Sequence, residues 1–388
     1  LYLWHWPLIV FVPFLLSNDL STAMKAGVLV ASLVLADLTR RLVEIPGQRW
    51  RVLHGRNRRT FLAMLVGMAL VAIPSAGLIL AGNERTAADV PPSTVVASEC
   101  TGPQAMLPGA SCPGRFGPAG NPVMGPANEY YYTPPGCVGM PELLPFGDRT
   151  ATVRCDFSGG AADPLQVWIV GDSHAEQFKG PVLDLAREHG WVVTTSFGGG
   201  CPVIDVPFLG FRQQASPDDI DRCRTWSQAV QDEIVRQEPD IVFTSSAGRV
   251  QLVDDSTGRP QQEQFVDGLM RTWARWADAG SQVVALGGVP FNGEVRDPDC
   301  VLLKNDDPRA CAVADGAANP PDPYLIAAQR LASDRVTAFD ASPYLCADGL
   351  CYAVIGGIAA YYDADHLNLD YVRRLAPMID AVIGAPVR

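Results

Sequence analysis

The chain has 388 residues, enough for more than one domain, and no single compositional class describes it. Residues 1–82 hold eight Lys/Arg against three acids, a net of +5, so the formal total of −12 leaves −17 on residues 83–388. A basic apolar head and an acidic tail are two physical objects, and an acidic tail without a basic stripe excludes nucleic acid as a partner.

Three apolar stretches fall in the head. Residues 1–16 (LYLWHWPLIVFVPFLL) are apolar from the first position, with no Met and no charged n-region, so they do not read as a signal peptide. They read as a segment from inside a longer membrane protein. Residues 22–38 form a second stretch and residues 61–82 a third, the last long enough to span a bilayer. Seven of the eight basic residues lie between Arg40 and Arg59, and the positive-inside rule places that loop in the cytoplasm. The third span then exits, and everything beyond residue 83 is expected outside. His5, in the first stretch, is an intramembrane ionisable group and therefore a functional candidate.

Residues 83–164 are rich in Pro, Gly and Ala and show little apolar periodicity. They read as an irregular, disulfide-pinned linker or extension. All ten cysteines lie beyond the head, an even number that indicates disulfides in an oxidising compartment. Sequence does not fix the connectivity. The simplest pairing joins nearest neighbours: 100–112, 137–155, 201–223, 300–311 and 346–351. A zinc site is disfavoured, because there is no C-x-x-C and no histidine near a cysteine pair.

From residue 165 strands and helices alternate. LQVWIVGDS (165–173) is an apolar run ending in a turn, as expected of a central parallel strand. A helix over 175–188 follows, then a strand at 191–197, a helix at 218–237 and a strand at 240–246. Next come a helix near 262–278, a strand at 282–290, a helix near 323–333, a strand at 335–340 and a closing helix over 368–384. This pattern predicts an α/β fold with a doubly wound parallel sheet, spanning 165–388, behind the transmembrane helices of 1–82. Its site is expected beyond the carboxyl ends of the strands.

Gly171-Asp172-Ser173-His174 closes the first strand, and a helix begins at once. A strand–turn–helix junction exposes a hydroxyl at the sheet edge and aims backbone N–H groups at the same point, which suits a nucleophile. The simpler reading is that Asp172 or Ser173 merely caps the helix. Asp363-Ala364-Asp365-His366 lies before the last helix. Its D-x-x-H spacing lets His366 Nε2 reach Ser173 while Asp363 orients the ring through Nδ1. Asp365 fits the spacing less well and is treated as a neighbour. Either motif alone is common; together, on the first strand and before the last helix of an α/β chain, they are far more specific.

These motifs resemble the SGNH/GDSL hydrolase superfamily in a GDSH form. Together with LYLWHWP at Leu1–Pro7, the Glu44-Ile45-Pro46 element and the cysteine pairs 201/223, 300/311 and 346/351, they look more closely like the carboxy-terminal part of an acyltransferase-3 family membrane protein with a fused SGNH domain. In that resemblance a glycine after the second strand supplies an oxyanion N–H, a role open here to Gly199 and Gly200. An Asn after the third strand normally supplies another donor. No Asn stands there, and Ser246 or Arg249 are the substitutes within reach.

The resemblance implies O-acyl transfer, most simply acetyl, onto a hydroxyl of an extracytoplasmic cell-envelope glycan through an acyl-enzyme on Ser173. It implies no metal or other cofactor in the soluble domain, acyl-CoA as the donor to the membrane domain, and a multi-pass protein of the bacterial plasma membrane. Two rivals share the same residues: a carbohydrate acyl esterase, and a membrane-tethered glycan-binding module without activity.

Overall fold

The computed structural model describes residues 2–16, 21–48, 57–87, 99–122, 125, 128–130 and 132–384. They form two compact units, one of residues 1–89 with 302–304 and one of the remainder.

The first unit is helical. Helix α1 (Tyr2–Leu16) contains Pro7 and Pro13. Helix α2 (Thr22–Thr39) is capped by Ser21, whose hydroxyl accepts the Met24 N–H, and it runs on through a wide π turn at Arg40–Glu44 into Ile45–Gln48. The Trp4 indole donates to Thr39 Oγ1 at 2.8 Å, fastening α1 to α2. Thr22–Gly47 is long and apolar enough to cross a membrane. At 1.5 Å per residue its 26 residues extend about 39 Å, beyond the ~30 Å hydrocarbon core. Helix α3 (Asn57–Ala87) has 31 residues and carries the apolar stretch 61–82. Most of the basic loop before it, including Arg49, Arg51 and Arg56, lies outside the described residues.

The second unit is built on a seven-stranded sheet. Its strands are β1 (Val138–Gly139), β2 (Thr152–Asp156), β3 (Gln166–Gly171), β4 (Val192–Phe197), β5 (Ile241–Ser245), β6 (Gln282–Leu286) and β7 (Val336–Phe339), in the spatial order β1-β2-β4-β3-β5-β6-β7. The five strands β4, β3, β5, β6 and β7 are parallel. They are the five strands read from the sequence, in the doubly wound order. Each reads as an apolar run because both faces are covered. Along β3, Val167 and Ile169 enter one core while Trp168 and Val170 enter the other, the period-two alternation of a strand.

Helices α5 (Lys179–His189), α9 (Leu369–Arg373) and α10 (Ala376–Ile383) cover the first face. Helices α6 (Pro217–Gln237), α7 (Gln261–Asp278) and α8 (Pro323–Leu331) cover the second, burying Trp226, Trp273, Trp276 and Tyr324. A one-turn helix, α4 (Ser173–Glu176), precedes α5. The chain leaves β3 toward β4 over one face and returns over the other to β5, so a crevice opens beyond the carboxyl ends of β3 and β5.

The structure departs from the sequence reading in three places. The sheet is mixed rather than wholly parallel: the segment 83–164, read as linker or extension, adds β2 antiparallel to β4 and β1 antiparallel to β2. The Cys137–Cys155 disulfide ties the residue just before the edge strand β1 to β2. The closing helix is two helices, because Pro377 lacks the N–H that a continuous helix would need and its ring crowds the preceding turn. The first helix likewise divides into α4 and α5. The ten cysteines form the five nearest-neighbour pairs.

Candidate active site

Ser173 opens α4 at the end of β3, and the turn that delivers it depends on Gly171. At φ +143°, a Cβ there would lie 1.9 Å from the Ser245 carbonyl oxygen and 2.8 Å from Ala175 Cβ. Only glycine fits. Asp172 is the helix cap, its Oδ1 accepting the His174 N–H at 2.8 Å. Its Oδ2 accepts the Ala247 N–H at 3.0 Å and Gln251 Nε2 at 2.8 Å, so the capping residue also ties the turn to the loop after β5. Burial pushes the Asp172 carboxyl up to about 7, against the opposing pull of the Ala247 and His174 N–H groups.

His366 faces the serine from a loop held by local hydrogen bonds. The Tyr362 N–H donates to the His366 carbonyl at 2.9 Å, and the Asp365 and His366 N–H groups both donate to Asp363 Oδ1 at 2.7 and 2.8 Å. The carboxylate of Asp363 is therefore fixed before it meets the ring. His366 Nδ1 lies 2.9 Å from both Asp363 oxygens, and Nε2 lies 2.8 Å from Ser173 Oγ. With the proton on Nδ1, Nε2 accepts the serine hydroxyl. Burial raises the Asp363 carboxyl, but the His366 hydrogen bond and charge outweigh it and hold the group below its ordinary value. The chain Asp363–His366–Ser173 can take a proton from the serine hydroxyl as that oxygen attacks a carbonyl, and return it to a leaving group.

Two further residues of the same motifs, His174 and Asp365, and one outside them, Tyr130, flank this chain. His174, 7% exposed, lies with its ring centroid 5.3 Å from that of His366. Burial, with the charge of His366 adding to it, pushes His174 down to about 3, so it stays neutral beside an imidazolium. Asp365 is held between Arg212 and Arg296, the latter at 2.8 Å, which anchors the loop one residue from His366. No spacing in the chain announces that clamp, because the two arginines come from distant loops. Tyr130 stacks on His366 at a centroid distance of 4.2 Å.

The four expected oxyanion or substrate-binding residues separate into different environments. The Gly198 N–H donates to the Gly171 carbonyl at 3.0 Å, setting the triple glycine beside the serine turn. A tight turn then closes from Cys201 N–H to Gly198 O at 2.9 Å, with Gly200 at φ +69°. Such a turn engages the N–H of Cys201 and not those of Gly199 and Gly200, leaving both as candidate donors. Ser173, as first residue of its helix, adds an N–H with no intrahelical acceptor.

Ser246 differs from expectation. Its hydroxyl donates to Gln251 Oε1 at 2.7 Å and accepts from the Tyr324 hydroxyl at 2.9 Å. Its one hydrogen is committed to a buried network that holds Gln251 against Asp172 and the Gly200 carbonyl, so the side chain is a brace rather than a donor to substrate. Arg249 donates to the Val289 carbonyl at 2.9 Å and Asn319 Oδ1 at 2.8 Å and pairs with Asp322. It lines a cavity with His174, Arg212, Phe291 and Asp365, so its guanidinium forms a wall of the crevice. His5 lies on α1, in the other unit.

Among the described residues, Asp315, Cys346 and Cys351 have metal-ligand spacing, but the two cysteines share a disulfide and offer no thiolate.

No curated protein matches this sequence. The periplasmic domain of a lipopolysaccharide acetyltransferase from Salmonella ser. Paratyphi A is structurally similar over 58% of this chain and 84% of that one, at 17% identity and a TM-score of 0.41. The profile of the SGNH domain found fused to AT3 domains matches residues 139–381, well over half of the chain and the whole of the sheet but for Val138. The chain belongs to that SGNH family.

Proposed function

We propose that this protein is a serine O-acyltransferase that acylates, most simply acetylates, a hydroxyl of an extracytoplasmic cell-envelope glycan. The observation that carries the reading is the unbroken hydrogen-bonded chain from Asp363 through His366 to Ser173, at the strand end where an α/β sheet places its chemistry. Membership in a family of SGNH domains fused to AT3 domains supports acyl transfer over free hydrolysis. The five disulfides and the basic loop before α3 support a membrane-anchored chain whose SGNH domain faces outward.

In this mechanism Ser173 Oγ attacks the carbonyl carbon of an acyl donor as His366 Nε2 takes its proton. Asp363 balances the imidazolium. The N–H groups of Ser173, Gly199 and Gly200 are the donors to the tetrahedral oxyanion. Collapse breaks the bond to the leaving group, which departs with the proton from His366. A glycan hydroxyl then gives its proton to His366 as its oxygen attacks the acyl-enzyme carbonyl, the acyl–Oγ bond breaks, and His366 returns that proton to Ser173 Oγ. The donor is supplied from a cytoplasmic acyl-CoA by the membrane domain, and no metal or resident cofactor takes part in the SGNH domain. Water in place of the glycan hydroxyl would make the same site an esterase.

Product analysis separates the two. The full chain, given an acyl donor and glycan fragments, is expected to yield acylated glycan through an acyl adduct on the Ser173 peptide. Release of free acid alone would overturn transfer and leave the esterase.

A further inference from the structure

The segment before the matched residues 139–381 reaches into the site. Tyr130 is 7% exposed, and its ring stacks on His366 with 28° between the planes. Its neighbour Glu129 accepts the Tyr362 hydroxyl at 2.6 Å, and the Tyr362 N–H holds the His366 carbonyl. The segment is thus fastened to the histidine loop at two points.

The bonds at Nδ1 and Nε2 define an axis through the imidazole. They fix where the two nitrogens lie, and they resist a tilt of the ring about that axis only through the directionality of the two bonds, which such a tilt bends and weakens. A planar aromatic face opposes that tilt directly, and its electron-rich surface favours the imidazolium formed in each half-reaction.

We infer that Tyr130 is a positioning residue, which holds the His366 ring in the plane that joins Ser173 to Asp363. The inference rests on the proposed role of His366. Among the described residues, Asp363, Ser173 and His174 also face the ring, with the Asp172 carboxyl acting through space and Asp365 balanced by its arginines.

The test is the rate at which a fluorophosphonate probe labels the full chain, followed as a function of probe concentration for wild type, Tyr130→Phe, Tyr130→Leu, Tyr130→Ala and Ser173→Ala. Phe keeps the planar ring and is expected to label near the wild-type rate. Ala and Leu are expected to lower the maximal rate about tenfold, the scale of a slightly misplaced catalytic group, with the half-saturating concentration unchanged. Leu keeps most of the volume, so it decides the question if Ala does not fold. Wild-type maximal rates for Leu, a loss in Phe equal to that in Leu, or a change confined to half-saturation would each overturn the positioning role. Labelling of Ser173→Ala at the wild-type rate would overturn the nucleophile itself, whereas a silent Ser173→Ala with an unaffected Tyr130→Leu removes the positioning role alone.

Discussion

Gln177 joins the Ser173 turn to Leu367, the residue that follows His366. Its Nε2 donates to the His174 carbonyl at 3.1 Å, and its Oε1 accepts the Leu367 N–H at 2.8 Å. The side chain is wholly buried. One amide thus sets the distance between two loops whose separation is the Ser173–His366 hydrogen bond.

Gln177→Leu keeps the volume and loses both bonds, leaving a buried N–H and a carbonyl unsatisfied. A loss of about 1–3 kcal/mol per group is expected in urea denaturation. Serine labelling should slow by more than the unfolded fraction explains. Wild-type labelling in this variant would show that the two loops are held by other contacts.

Gly171→Ala should be severe. The added methyl meets a backbone carbonyl rather than a flexible side chain, and the φ is one that L side chains rarely adopt. A soluble, folded variant with normal labelling would mean that the turn can open without moving Ser173.

Much of this was legible in advance, for a physical reason. The glycine, cap and hydroxyl of Gly171-Asp172-Ser173 are dictated within one turn, and Asp363 reaches His366 across three residues. Local rules cover both. The strands β1 and β2 were not legible, being short, set among prolines and glycines, and defined only by pairing with β4, remote in sequence. Gln251, Arg212 and Arg296 act through contacts that only the folded chain creates. Pro377 did signal the break in the closing helix, and the apolar periodicity around it masked the signal.

Asp172 gives a pH dependence of stability. Its pKa rises from 3.8 to about 7 on folding, so the folded state holds the proton more tightly. Its contribution is full below pH 3.8 and is lost as pH rises through about 7. The stability advantage of wild type over Asp172→Asn should therefore shrink by a few kcal/mol between about pH 4 and pH 7, since a tenfold change in proton affinity is worth about 1.4 kcal/mol. A constant difference across that range would contradict the assignment.

His174 behaves oppositely. With its pKa lowered to about 3, its contribution is present above the unfolded value of 6.5 and lost as pH falls toward 3. Its ring proton resonances in NMR should stay those of a neutral imidazole from about pH 8 to about pH 5. A midpoint near the unfolded value would show that its burial is not maintained in solution.

Acyl transfer through Ser173 and His366 is read most directly as acylation of the envelope glycan in cells. Cells carrying the full-length Ser173→Ala protein, at wild-type abundance, are predicted to lose the acyl groups that wild type adds. Glycan acylation unchanged from wild type would contradict the mechanism.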